Sequence, residues 1–122
     1  MWDKVMLRPL LWMASTLDDL KEWPDAVQQS VGYALELAQK GEKHESAKPL
    51  KGFKGASVFE IVANYGGDTW RAVYAVKIQY AICVLHVFQK KSKSGIATPK
   101  REIELIEKRL KLALEHSKDQ QP

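Results

Sequence analysis

The stretch that decides the fold runs from Leu50 to Arg101 and reads LKGFKGASVFEIVANYGGDTWRAVYAVKIQYAICVLHVFQKKSKSGIATPKR. It contains three segments rich in strand-forming residues, Val58–Tyr65, Thr69–Lys77 and Ala81–Phe88. The Gly66-Gly67 pair between the first two segments predicts a two-residue hairpin turn, because glycine adopts positive φ without steric cost. The stretch therefore predicts three consecutive antiparallel strands.

Upstream of these strands the sequence predicts one strand and two helices. The apolar run Leu10–Met13 is typical of a short strand. The segment Ser15–Asp19 places hydroxyl residues three positions before acids, which indicates a helix N-terminus. Pro24 fits the first turn of a second helix, whose apolar stripe follows a period of 3.6 residues and includes Val27, Val31, Ala34, Leu35 and Ala38. Gly41 is typical of the end of that helix.

Downstream, residues 41–49 are polar and predict a loop, whereas the region after Thr98 predicts a last helix. Thr98 is expected to be its N-cap and Pro99 its first residue, followed by an apolar stripe of Ile103, Ile106, Leu110 and Leu114. The predicted order is β-α-α-β-β-β-α in a single domain over residues 1–122, of the α+β class. The sheet is expected to be small and antiparallel, with a helical hairpin before it and helices on one face only, which leaves the other face open for a site.

Charge is distributed unevenly along the chain. Residues 1–39 hold three Lys or Arg against six Asp or Glu, whereas residues 40–122 hold sixteen against nine. A basic C-terminal part favours a polyanionic partner, of which nucleic acid is the usual one. Cys83 is the only cysteine and lies in an apolar run, which predicts a buried, inert thiol. We expect a protein of the reducing cytosol with no membrane span, no signal peptide, no metal and no cofactor.

Cationic and titratable residues fall on the predicted strands. Strand alternation groups Arg71 with Val73, Ala75 and Lys77 on one face. The same alternation groups His86 with a second set, namely Ile82, Val84, Phe88 and Lys90. A lone strand histidine is more often structural than catalytic, so the hypothesis of a site depends on the whole pattern.

The pattern suits RNA cleavage without a metal. A 2′-hydroxyl that attacks the adjacent phosphate requires a base, an acid and cations for the developing charge. His86 has a suitable ordinary pKa for proton transfer, and Arg71 offers a planar donor fork for phosphate. Lys51 and Lys54 are expected close together near Arg71, where each would favour the neutral form of the other.

Five parts of the sequence carry a resemblance to a known family. They are the segment of residues 48–55 (KPLKGFKG), residues 59–61 (FEI), residues 69–74 (TWRAVY), residues 84–92 (VLHVFQKKS) and residues 98–103 (TPKREI). In this order they resemble the RelE/ParE superfamily of bacterial toxins, and most closely its phage-derived, HigB-like branch. The similarity extends over nearly the whole chain, including the helical pair that starts at Ser15.

The resemblance implies the toxin of a type II toxin–antitoxin system, an endoribonuclease that cleaves mRNA in the ribosomal A site and so blocks translation. It implies a cognate helix-turn-helix antitoxin of the HigA type, and contact with operator DNA only through that antitoxin. Carried over by position, the implied catalytic residues are Lys54, Arg71 and His86. The implied RNA-binding residues are Lys51, Lys90, Lys91 and Phe88, and no C-terminal tyrosine is present after Tyr80.

Several roles and functions remain open at this point. Arg71 would bind the scissile phosphate, Lys54 would act as a base or stabilise charge, and Glu60 would orient a lysine or serve as the base. Phe88 or Tyr74 would stack on a base, although both are more often core residues. Two other functions fit the same fold: a ParE-like inhibitor of gyrase, and a non-catalytic RNA-binding domain of phage origin.

Overall fold

The computed structural model describes residues 7–53, 57–91 and 98–119. It confirms the α+β class, with a five-stranded sheet and three helices among these residues. The elements, in chain order, are β1 (Leu10–Trp12), α1 (Thr16–Lys21), α2 (Asp25–Gln39), β2 (Ala47–Pro49), β3 (Val58–Tyr65), β4 (Asp68–Ile78), β5 (Ala81–Lys90) and α3 (Lys100–Asp119).

The sheet is mixed rather than purely antiparallel. Its strand order is β1-β5-β4-β3-β2, in which β1 pairs with β5 in parallel and the other neighbours are antiparallel. The prediction of a loop over residues 41–49 is wrong in part, because β2 pairs with β3 at the edge of the sheet. A strand of three residues has too short a pattern to be recognised by alternation.

Local signals placed most boundaries correctly. Gly66 and Gly67 both have positive φ, 64° and 84°, and close the β3–β4 hairpin as expected. The turn between β4 and β5 uses Gln79 at a φ of 54°. Gly41, at a φ of 83°, ends α2 in a Schellman motif, in which the amides of Gly41 and Glu42 donate to the carbonyls of Ala38 and Leu37.

Helices cover both faces of the sheet, so the expectation of an open face is wrong. Helices α1 and α2 pack on one face, where Leu35, Tyr74 and Val84 belong to a common core cluster. Helix α3 packs on the other face through Ile106, Leu110 and Ala113. No helix in the described part of the chain is long and apolar enough to cross a membrane.

A β-bulge in β5 changes which residues share a face. Val73 of β4 pairs with His86, but the next residue, Tyr74, pairs with Val84, so Leu85 is an extra residue in β5. Ile82 and Val84 therefore lie on the α1–α2 face, whereas His86 lies with Phe88 on the α3 face. The predicted grouping of His86 with Ile82 and Val84 is wrong, because simple alternation does not survive a bulge.

Each core cluster has a residue whose truncation tests its contribution. Leu35 of α2 is 2 % exposed and Ile106 of α3 is fully buried. Leu35→Ala and Ile106→Ala should each lower the free energy of unfolding by about 2–5 kcal/mol, because each leaves a cavity. Urea unfolding measures this loss.

The matched control is Leu112→Ala on α3, since Leu112 is 48 % exposed. It should cost well under about 1 kcal/mol. If Ile106→Ala cost no more than Leu112→Ala, α3 would not be docked on the sheet as described.

Candidate functional site

Two clusters of charged side chains lie between the sheet and α3. The Glu60 cluster consists of Glu60, Arg71 and Thr98, and the His86 cluster consists of His86, Glu102 and Arg109. The first joins β3 and β4 to the residue that leads into α3. The second joins β5 to α3 itself.

Strand register brings the sheet residues of both clusters together. Glu60 of β3 lies opposite Val73 of β4, and Val73 lies opposite His86 of β5. These three residues form one row across the α3 face. Arg71 lies opposite Phe88 in the next row, and a diagonal contact brings its guanidinium to Glu60.

The Glu60 cluster is a buried ion pair that also accepts a hydrogen bond from a threonine hydroxyl. Arg71 Nη1 donates to Glu60 Oε1 at 3.1 Å, and the Thr98 hydroxyl donates to Glu60 Oε2 at 2.8 Å. Arg71 is only 4 % exposed and Glu60 only 8 %. Two charges removed from water in this way require each other, because either one alone would be an uncompensated buried charge.

Thr98 serves this cluster, and its predicted position as N-cap is wrong by one residue. The Pro99 carbonyl accepts hydrogen bonds from the amides of Glu102 and Ile103, each at 3.0 Å, so Pro99 stands at the N-cap position and α3 begins at Lys100. Helix boundaries read from sequence are often displaced by this much.

The His86 cluster engages both ring nitrogens of the imidazole. Nε2 lies 3.2 Å from Glu102 Oε1, and Arg109 Nη1 lies 3.2 Å from Nδ1 and 2.9 Å from the Leu85 carbonyl oxygen. The ring also stacks on Phe88, with centroids 5.2 Å apart. Burial lowers the pKa of His86 below its usual value, and this effect exceeds the opposing hydrogen bond to Glu102.

A cavity of about 510 Å³ opens beside the Glu60 cluster, at the N-terminus of α3. Its polar lining consists of Lys48, Lys51, Glu60 and Thr98, and its apolar lining consists of Pro49, Leu50 and Ile103. Lys48 and Lys51 are both exposed. The cavity thus combines two cations, a hydroxyl and the positive end of a helix, which are groups that suit a phosphate.

The structure brings together only some of the residues predicted for a site. Lys51 lines the cavity, and Arg71 donates a hydrogen bond to Glu60, which also lines it. His86 and Phe88 are each 9 % exposed and lie under α3. The expectation of Arg71 on an open face is wrong, since α3 packs on that face and Arg71 is 4 % exposed.

The remaining predicted residues are peripheral or undescribed. Lys90 is half-buried at the end of β5 and Lys91, which follows it, is exposed. Lys54 lies outside the described residues, so its predicted pairing with Lys51 stays a prediction. Sequence reasoning missed Lys48, Glu102 and Arg109 as site residues. The seven-residue spacing of Glu102 and Arg109 on one helix face was the available signal.

The described residues contain no group of three or more His, Cys, Asp or Glu side chains arranged to hold a metal ion. Cys83 is buried as expected, and burial raises the pKa of its thiol to about 11. Burial also raises the pKa of Tyr74 to about 12 and removes this residue from any stacking surface, since it is 1 % exposed.

Comparison with known proteins places the chain in a family. The profile of the family described as phage-derived protein Gp49-like (DUF891) matches residues 18–111, from α1 into α3. The chain belongs to this Gp49-like family, a toxin-like family often linked to toxins of the RelE/HigB type. No curated protein and no solved structure gives a significant match.

The buried ion pair predicts a large difference between single and double substitutions. Arg71→Ala should lower the free energy of unfolding by about 3–5 kcal/mol, because Glu60 is left buried without its counter-ion. The double variant Arg71→Met with Glu60→Leu should recover most of this loss, since it removes both charges. Urea unfolding of the two variants and the wild type measures the difference.

The control is Lys40→Ala, which breaks the exposed pair of Lys40 and Glu36. That pair should contribute less than about 1 kcal/mol. An Arg71→Ala protein as stable as Lys40→Ala would contradict the burial of the Glu60 cluster.

The lowered pKa of His86 predicts acid sensitivity. In the unfolded chain His86 has its ordinary pKa and binds a proton more readily than in the folded state, so stability is complete above about pH 6.5 and falls as the pH drops towards the folded pKa. The measurement is the urea midpoint from neutral pH to about pH 5.

The His86→Phe variant should lose this part of the pH dependence. A matched His44→Phe variant changes a histidine that lies away from α3 and should keep it. Identical pH profiles for His86→Phe and the wild type would contradict the prediction.

Proposed function

We propose that this protein is the toxin of a type II toxin–antitoxin system and acts as an mRNA endonuclease on the ribosome. Membership of a toxin-like family supports the first part. The observation that carries the second part is the cavity at the start of α3, where Lys48 and Lys51 adjoin a buried carboxylate held by Arg71 and Thr98.

The proposed reaction is transfer within the RNA chain. The 2′-oxygen forms a bond to the adjacent phosphorus and the bond from phosphorus to the 5′-oxygen breaks, which leaves a 2′,3′-cyclic phosphate and a 5′-hydroxyl. Glu60 takes the proton of the 2′-hydroxyl, because a carboxylate has about four acceptor sites and only two are used by Arg71 and Thr98. Lys48 and Lys51 hold the phosphate, and a lysine donates the proton to the leaving oxygen.

In this proposal Arg71 acts through Glu60. Its guanidinium fixes the carboxylate at 3.1 Å, and its burial leaves little room for a direct contact with RNA. Lys54, Lys90 and Lys91 would extend the cationic surface along the RNA backbone, where each phosphate contact adds a salt-dependent contribution to affinity.

The proposed partners follow from the same role. A helix-turn-helix antitoxin of the HigA type would hold the toxin inactive, and operator DNA would be bound only through that antitoxin. The target, translating ribosomes with their mRNA, would place the protein in the cytoplasm.

A second candidate is a toxin that binds a protein target, such as gyrase, and needs no catalytic set. The burial of Arg71 and His86 favours it, because both side chains are engaged within the fold. This candidate predicts that loss of the Glu60 carboxylate leaves toxicity intact.

The deciding experiment is induced expression in bacteria with mapping of mRNA 5′ ends. Wild type should arrest growth and produce new in-frame cuts. Glu60→Gln should slow cleavage by about 100-fold or more, because a general base contributes that much, while the amide oxygen can still accept from Arg71. Circular dichroism of each purified variant checks the fold.

Glu104→Gln, an exposed carboxylate on α3, is the matched control and should cut as the wild type does. Growth arrest with intact mRNA would reject the nuclease and favour the protein-binding candidate. Cleavage by Glu60→Gln at the wild-type rate would reject Glu60 as the base.

Lys48 and Lys51 can be tested by the salt dependence of RNA binding. The double variant Lys48→Ala with Lys51→Ala should bind single-stranded RNA more weakly, and the slope of log affinity against log salt should be shallower by about 1.4, since two phosphate contacts are lost. The control is Lys108→Ala with Lys111→Ala, which removes two exposed cations from α3. Equal slopes for both double variants would show that the cavity lysines do not contact RNA phosphates.

A further inference from the structure

His86 is held between two charged side chains of α3. One ring nitrogen, Nε2, contacts Glu102 and the other, Nδ1, contacts Arg109, each at 3.2 Å. Arg109 is itself fixed by the Leu85 carbonyl at 2.9 Å. The imidazole is therefore a bridge between β5 and α3 rather than a side chain directed into the cavity, whose lining does not include it.

The partners fix the protonation state of the ring. A guanidinium has only donors, so Nδ1 must accept from Arg109 through its lone pair. The single proton of the neutral ring is then on Nε2, where it is donated to the Glu102 carboxylate. The geometry thus selects one of the two neutral tautomers.

The bridge also controls the position of α3. Glu102 and Arg109 are seven residues apart, about two turns of the helix, so one imidazole ties the first and third turns of α3 to the sheet. Glu102 follows Thr98 by four residues, and the Thr98 hydroxyl reaches both Glu60 and Arg71. The place where α3 lies on β5 therefore decides whether Thr98 completes the Glu60 cluster.

We propose that His86, as the neutral Nε2–H tautomer, is a positioning residue: with Glu102 and Arg109 it holds the first turns of α3 on the sheet and so keeps Thr98 on Glu60. The role of His86 is then to assemble the site instead of transferring a proton in it. The proposal depends on the proposed function only in treating the Glu60 cluster as the site.

Acid should open this bridge. A proton on Nδ1 turns the acceptor of Arg109 into a donor that faces another donor. Glu102 and Arg109 of α3 contact the ring, and the charge of Asp19 on α1 also acts on it without a contact. Burial and the charge of Arg109 disfavour protonation of Nδ1, whereas Glu102 and Asp19 favour it. The net effect is that the pKa of His86 is lowered. The bridge is closed at neutral pH and is lost as the pH falls through that value.

The first test is nitrogen-15 NMR of the imidazole in the full chain at neutral pH. Correlations between ring nitrogens and ring protons identify the tautomer directly. We expect a protonated Nε2 and an unprotonated Nδ1 for His86. A ring protonated on Nδ1, or on both nitrogens, would overturn the proposal.

The second test is amide hydrogen exchange at Ile103, whose amide donates to the Pro99 carbonyl in the first turn of α3. Arg109→Met and Glu102→Ala should each speed this exchange by about tenfold or more, because each removes a hydrogen bond that involves a charged group. Arg101→Met and Glu104→Ala are the matched controls, since both residues are exposed on the same helix. Exchange at the control rate in both bridge variants would overturn the proposal.

The protection factor of the Ile103 amide, which is the intrinsic exchange rate divided by the observed rate, should fall in acid for the wild type, and His86→Phe should remove that dependence. These measurements need no RNA and no ribosome. If cells expressing the wild type showed no cut mRNA, the proposed function would fail while the tautomer and exchange results still stood, so the two failures are distinguishable.

Discussion

The buried pair of Glu60 and Arg71 is the constraint on which the α3 face depends. Two opposite charges lie on adjacent strands, and both side chains are buried on the face where α3 packs. Such a pair tolerates little displacement, because desolvated charges need good geometry and further hydrogen bonds. Thr98 supplies one of these hydrogen bonds, and the Glu60 cluster thereby links the start of α3 to the middle of the sheet.

The same face holds a second charged cluster, the His86 cluster, and both clusters hold α3 in position on the sheet. The Glu60 cluster holds Thr98, two residues before the helix, and the His86 cluster holds its first and third turns. Ile106 and Leu110 of α3 pack in the apolar cluster on the same face. The cavity beside the helix N-terminus is lined by both polar and apolar side chains, and Glu60 and Thr98 of the Glu60 cluster are among them.

Local sequence signals predicted much of the fold and less of the site. The Gly66-Gly67 turn and the α2 stripe are short-range patterns, and the structure confirms both. The bulge at Leu85 is not visible in the sequence, because it arises from how β5 fits β4, and it moved His86 to the face opposite Ile82. The burial of Arg71 on the face where α3 packs is likewise a result of tertiary packing. An arginine in a strand is read from sequence as exposed, since charges are rarely buried unless paired.

The parallel pairing of β1 with β5 has a consequence for the order in which the chain can fold. Leu10 lies opposite Ile82, so this contact closes a loop of about seventy residues, and such closures are slow. During synthesis β1 emerges long before β5, beside which it lies in the sheet, and α3, which completes the charged face, emerges after all five strands. The growing chain therefore has no complete Glu60 cluster until Thr98, which follows the five strands, has also left the ribosome.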